Sequence, residues 1–200
     1  MSVTLKASFQ LSVDKALTIQ LRIENASAAD ILVLDRLWVL QGGKKVLDDE
    51  YVYRFERDGS LRVLLGPAPL PRLKSALYRN VPLATRVPVN TALEREVRLA
   101  PKLKEYSVYF PELDPEHYEK VTVSTVHLVI DYLVDRPELV KHASSLDPAA
   151  IEIENPVFAL AEAKRLVQSG PVSPIEVARR TDEFDRLALP GEAPEPLKLS

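Results

Sequence analysis

The chain has 200 residues, 46% of them hydrophobic and 28% charged, with 26 basic and 29 acidic side chains and a formal net charge of −3. This is the composition of an ordinary globular protein with apolar material for a sizeable core, and its mixed signs lack the basic face that nucleic-acid binding requires. The absence of cysteine excludes disulfides, thiolate nucleophiles and thiolate metal sites.

At the N-terminus, Leu5, Ala7, Phe9, Leu11 and Val13 alternate with polar residues. That is a half-buried strand, and it lacks the continuous apolar core of a secretory signal. No run reaches the ~18 apolar residues of a membrane span. A cytoplasmic protein without membrane or nucleic-acid partners is expected. Asp14-Lys15 offers a reversal, and Leu17, Ile19, Leu21 and Ile23 alternate again. Residues 31–40 are apolar on both faces apart from Asp35 and Arg36, which predicts a central strand covered on both sides, with Trp38 buried. Gly42-Gly43 supplies hairpin chemistry, and Asp58-Gly59 joins the alternating runs 51–56 and 61–65 into a second hairpin.

Between residues 66 and 119 lie eight of the 16 prolines, which predicts edge strand, loop and extended chain. One strand is legible inside this segment: residues 92–99 place Leu93, Val97 and Leu99 on one parity, broken by Arg95. The longest β run follows at 121–134, with Val126, Leu128, Ile130, Tyr132 and Val134 on its cleaner core face.

About eight strands are thus expected before residue 150, and no helical crossover of the kind a parallel sheet needs is visible. The fold class is mainly β: an antiparallel β-sandwich with immunoglobulin-like or Greek-key connections, favoured over a closed barrel, spanning residues 1–150 with a loop-rich insertion at 66–119. The early strand Leu-Thr-Ile-Gln-Leu-Arg-Ile-Glu-Asn and the loop-rich middle resemble immunoglobulin-like modules of bacterial proteins, a likeness of fold type that implies no function.

Two short C-terminal α-helices are expected as an appendage over 151–188. Asn155-Pro156 reads as an N-cap and first helical residue for a helix ending near Gly170, and Ser173-Pro174-Ile175-Glu176 as a capping box for a second. Residues 161–178 resemble the N-terminal helix-turn-helix of amidase-signature enzymes. The likeness covers under a tenth of the chain and lacks the family's Gly/Ser-rich catalytic core, so it implies helices and no activity. The first helix would present an apolar stripe including Phe158, Leu160, Leu166 and Val167, to be covered by its own sheet, a second copy or a protein partner. Residues 189–200 read as a flexible proline-rich tail.

No catalytic, nucleotide-binding or metal-binding motif is present, so no cofactor and no metal is expected. His127 and Asp131 share one face of the long strand, but four residues along a strand span about 13 Å. The acidic clusters around His117 and at 48–50 lack calcium-loop spacing. Tyrosine and arginine gather in the 66–119 segment, and these residue types dominate recognition surfaces. Arg72, Tyr78, Arg79, Tyr106 and Tyr109 are therefore the candidate binding residues. The function expected is a non-catalytic binding or assembly module that recognises a protein partner through this region or the C-terminal helices. The alternative is a hydrolase-like enzyme whose site is assembled from sequence-distant residues.

Overall fold

The computed structural model describes residues 2–48, 52–71, 80–154, 160–182 and 184–193. The chain is mainly β, with fourteen strands among these residues. Three of them, β1 (Val3–Leu11), β2 (Leu17–Asn25) and β9 (Thr91–Leu99), form an antiparallel sheet in the order β1-β2-β9. Period two decides which face is inward: Leu17, Ile19, Leu21 and Ile23 are buried while their neighbours Gln20, Arg22 and Glu24 reach water or half-bury. Lys15 takes a positive φ of 62° in the reversal before β2. Arg95 breaks the apolar parity of β9 for a specific reason: it points inward and its Nε donates to buried Asp35 at 2.8 Å.

Nine strands build the larger sheet: β3 (Ile31–Arg36), β6 (Tyr53–Arg57), β7 (Ser60–Leu65), β8 (Leu83–Val87), β10 (Leu103–Lys104), β11 (Tyr118–Val134), β12 (Lys141–Ala143), β13 (Ile151–Ile153) and β14 (Lys164–Arg180). The strand expected over 31–40 divides at Leu37, and Trp38 opens β4 (Trp38–Gln41), which among the described residues pairs only with β5 (Lys44–Leu47) through the Gly42-Gly43 turn. Within β3 both faces are buried, as its composition requires. Ile31 and Val33 join the main core, whereas Leu32 and Leu34 join a second cluster with Ala84, Leu133, Ile153 and Leu160. Trp38 is 8% exposed and packs on Leu83 and Ala150.

The C-terminal third differs from the sequence expectation. Residues 164–180 are one strand, so neither expected helix forms there; residues 156–159 lie outside the described residues. β14 runs antiparallel to β11 from Tyr118↔Arg180 to Tyr132↔Lys164, with an irregularity where Ser124 faces Val172, Ser173 and Pro174. The bulge resets the phase of the alternation: Leu166 precedes it on the core side, Val172 at its edge packs there too, and Ile175 and Val177 follow it there. Gly170 sits where the ring of Phe9 on β1 crosses β14; a Cβ there would lie 2.6 Å from Phe9 Cδ2. Glycine is needed at this position for close approach. The segment lies along β11 from Tyr118 to Tyr132.

The sheet is also mixed rather than purely antiparallel. β7 pairs parallel with β11, and β10 with β14. The crossover from β7 to β11 carries no α-helix among its described residues; β8, β9, β10 and the single 3-10 turn Pro115–His117 make the passage instead. The hydrogen-bonded path β14–β11–β7–β6 closes on itself through residues 103–106. Glu105 N–H donates to Ala178 O at 2.9 Å, and Tyr106 exchanges N–H···O bonds of 2.9 and 3.0 Å with Arg54. Beyond β14 the chain turns back, and Phe184 and Leu187 are buried, each 5% exposed. Phe184 packs against Phe55 and Phe110, with ring centroids 5.6 and 4.6 Å away.

Candidate functional site

Where residues 103–106 close the ring, five parts of the chain meet: Arg54 of β6, the 100–106 segment, the loop 110–112, Tyr118 at the start of β11 and Arg180 at the end of β14. Between them is a cavity of about 300 Å³. Its aromatic walls are fixed. The Tyr106 ring stacks on Tyr53 with centroids 6.4 Å apart and planes 9° apart, and the Arg54 guanidinium lies 5.3 Å from its centroid. Arg54 Nε donates to Lys104 O at 3.1 Å. On the other wall the Lys104 ammonium sits 5.6 Å from the Tyr118 ring and pairs with Glu112. The Tyr118 hydroxyl accepts the Leu113 N–H at 3.3 Å and so ties the rim loop to β11.

Beneath the cavity is a buried polar frame. Arg180 uses Nη1 on Pro111 O at 2.6 Å and a bidentate pair on Asp182 at 2.9 and 2.8 Å, while its guanidinium covers Phe110 and Phe184. The Glu105 side chain has no solvent exposure. It accepts two bonds from Arg186, at 2.8 and 3.0 Å, and the N–H groups of Glu56 and Arg180 at 2.9 and 2.8 Å. Burial pushes the Glu105 carboxyl above its ordinary range, although Arg186 and the two amides pull the other way. A carboxylate with every oxygen committed is a structural bolt between β6, β14 and the returning chain.

Of the candidate residues expected from sequence, Tyr106 lines the cavity. Tyr109 lies elsewhere: its hydroxyl accepts the Asn80 N–H at 2.8 Å, which makes it a brace for the chain entering β8. Arg72, Tyr78 and Arg79 lie outside the described residues, as does Phe158. Leu160, Leu166 and Val167 do not form a helical stripe. Leu160 is core, Leu166 packs half-buried on the main core, and Val167 is 36% exposed on the opposite face of β14. Arg54 and Arg180 complete the site and were not among the expected residues. Arg54 reads as the polar side of a strand, and Arg180 as the surface of a helix.

Two polar groups that share a face of the long strand β11 are engaged by β14. Asp131 is engaged by Arg165 at 2.8 and 2.9 Å. His127 Nδ1 lies 2.6 Å from Ser169 Oγ across the β11–β14 ladder, and burial, then the nearby Arg62 charge, hold its pKa below the ordinary imidazole range. Among the described residues no three His, Asp or Glu side chains converge as metal ligands. A wide, open hollow of about 700 Å³ lies on the polar face of β1-β2-β9, where Lys6 and Arg22 pair with Glu24 and Glu94. No protein-family model, curated protein sequence or solved structure matches the chain.

Proposed function

We propose that this chain is a non-catalytic binding module in which a sandwich-like β scaffold presents the Tyr106 cavity to a protein partner. The observation that carries the reading is the cavity's construction: Tyr106, Phe110, Tyr118 and Pro111 supply apolar area, and Arg54 and Lys104 stand over two of the rings. Rings already stacked and pinned lose little conformational freedom on binding, so their contact area is converted efficiently into affinity. A volume of about 300 Å³ is at the lower end for ligand sites, and suits one inserted side chain of a partner.

The test is site-specific photo-crosslinking in the source cells, with the photoreactive residue at the exposed rim position 100 or at 112, and a control at the fully exposed Val13. The reading expects one protein captured from both rim positions, absent at position 13 and lost on Tyr106→Ala. Equal capture from all three positions, or capture indifferent to Tyr106→Ala, overturns it. One contact favours a second reading as a hydrolase: Ser169 and His127 are within proton-transfer distance, with the imidazole held neutral. Covalent labelling of Ser169 by a fluorophosphonate, abolished by His127→Gln, is the expected result for that reading, and an unlabelled Ser169 excludes it.

A further inference from the structure

We infer that the Tyr106 cavity receives a carboxylate carried beside an aromatic or apolar group, and that Glu112 occupies the carboxylate's place until the ligand displaces it. The inference rests on this cavity being the recognition site. The charged groups lining the cavity differ in whether they can change partners.

Two of them cannot. Arg180 is held by Asp182 and Pro111 O, and Glu105 is fully buried with both oxygens bonded to Arg186 and to backbone amides. Either could exchange only by dismantling the junction of β6, β14 and the returning chain. The Lys104–Glu112 pair is different. It stands at the mouth, with the two side chains 43% and 73% exposed. An exposed pair of this kind contributes little net stability, because solvent screens it and both side chains lose freedom to hold it. Its geometry is nevertheless informative. Lys104 shows where an anionic oxygen sits over the cavity, with the Tyr118 ring beneath and the Tyr106 ring on the facing wall.

The loop that carries Glu112 is anchored independently of that pair. Arg180 holds Pro111 O and Tyr118 holds the Leu113 N–H, so the Glu112 side chain can swing outward while the rim keeps its shape. With Glu112 outside, Arg180 stays neutralised by Asp182 and Glu105 by Arg186, and the Lys104 ammonium stands at the mouth beside apolar walls without the carboxylate it held. The Lys104 hydrogen bond holds the Glu112 carboxyl below its ordinary range, and an incoming carboxylate in the same place would likewise remain ionised. A carboxylate attached to a ring or alkyl group satisfies both halves of the cavity. A phosphate alone would leave the aromatic walls unused.

The experiment is a titration of the full chain by fluorescence anisotropy at low salt. The probe is a labelled, end-blocked peptide Gly-Glu-Phe-Glu-Gly, and its Gln counterpart is the control. The acidic peptide should bind at least tenfold tighter than the Gln peptide, since a hydrogen bond to a charged group is worth about that much. Glu112→Gln should tighten the acidic peptide about two- to fivefold by removing the internal competitor. Lys104→Gln, at an exposed position that leaves folding unchanged, should weaken it at least tenfold. Phenylacetate provides the second arm. Full displacement of the peptide identifies a small carboxylate as a sufficient ligand, and failure to displace identifies an acidic protein segment as the source. Equal binding of both peptides, lost on Tyr106→Ala, overturns the carboxylate inference and leaves the binding reading standing. An acidic peptide indifferent to both Glu112→Gln and Lys104→Gln overturns the inference irrespective of where the cross-links fall.

Discussion

Replacing Arg186 with Met should expose the energetic logic of the buried frame. Arg186 donates two bonds to Glu105 and a third, at 2.8 Å, to Arg180 O, and its side chain is 5% exposed. Methionine fills similar volume without a charge, so the main loss is the partner of a fully buried carboxylate. Removing one member of a buried pair costs about 3–5 kcal/mol, because the other charge is left uncompensated. In a chain of this length each kcal/mol moves Tm by about 2–4 °C, so a fall of about 6–20 °C is expected.

The pH dependence carries the sharper signature. Glu105 is an acid whose folded pKa lies above the ordinary 4.5, with burial as the cause, and without Arg186 it rises further. The folded state then binds the proton more tightly than the unfolded state. Its contribution to stability is therefore greatest below the ordinary value and is lost as pH rises through the folded one. The Arg186→Met deficit should be small in urea unfolding near pH 4.5 and full at pH 8. The double variant Arg186→Met/Glu105→Gln should recover most of the loss at pH 8 and flatten the slope. A single variant within about 1 kcal/mol of the parent at pH 8, or a deficit equal at both pH values, refutes the uncompensated-charge account.

Three further outcomes follow from packing. Gly170→Ala should cost about 1–3 kcal/mol in denaturant unfolding, since its Cβ meets the Phe9 ring, and Phe9→Leu in the same chain should restore part of it. Trp38→Ala should cost about 3–5 kcal/mol, as it empties a buried site and strands the Val81 carbonyl that Trp38 Nε1 reaches at 2.8 Å; parent fluorescence that is red-shifted and readily quenched would contradict that burial. Truncation after Asp182 removes Phe184, Leu187 and the partners of buried Arg62, and should yield a dye-binding, aggregation-prone protein; a monomer of unchanged Tm would contradict the docking of this segment.

The first strands and both hairpins were legible because local chemistry and burial agree there. Leu17 to Ile23 alternate and are buried in alternation, and Asp58 and Gly59 both take the positive φ their turn requires. β14 was not legible because two of its signals point elsewhere. Ser173-Pro174-Ile175-Glu176 satisfies the local rules of a capping box, yet Ser173 and Pro174 lie in a bulge, and the bulge shifts the phase of Val172, Ile175 and Val177 so that no single parity runs through the strand. Gly170 and Gln168 face the β1 side without adding apolar character, which hides the alternation further. Competing helix and strand preferences are decided here by 17 residues of β11 offering a ladder, a tertiary effect no local rule contains. In the site, Tyr106 could be picked from composition, but Arg54 and Arg180 depend on a ring closure between chain segments some fifty and seventy residues from Tyr106.

The pairing of β14 with β11 places Arg180 under the cavity and so underlies both fold and site. Proton–proton NOEs in a uniformly labelled sample test it directly. Cross-strand NOEs should link Leu128 with Gln168, Ile130 with Leu166 and Val121 with Val177, the register partners on the two strands. Strong sequential amide–amide NOEs through 164–180, with those cross-strand contacts missing, would establish a helix there and contradict the fold, the site and the function built on it.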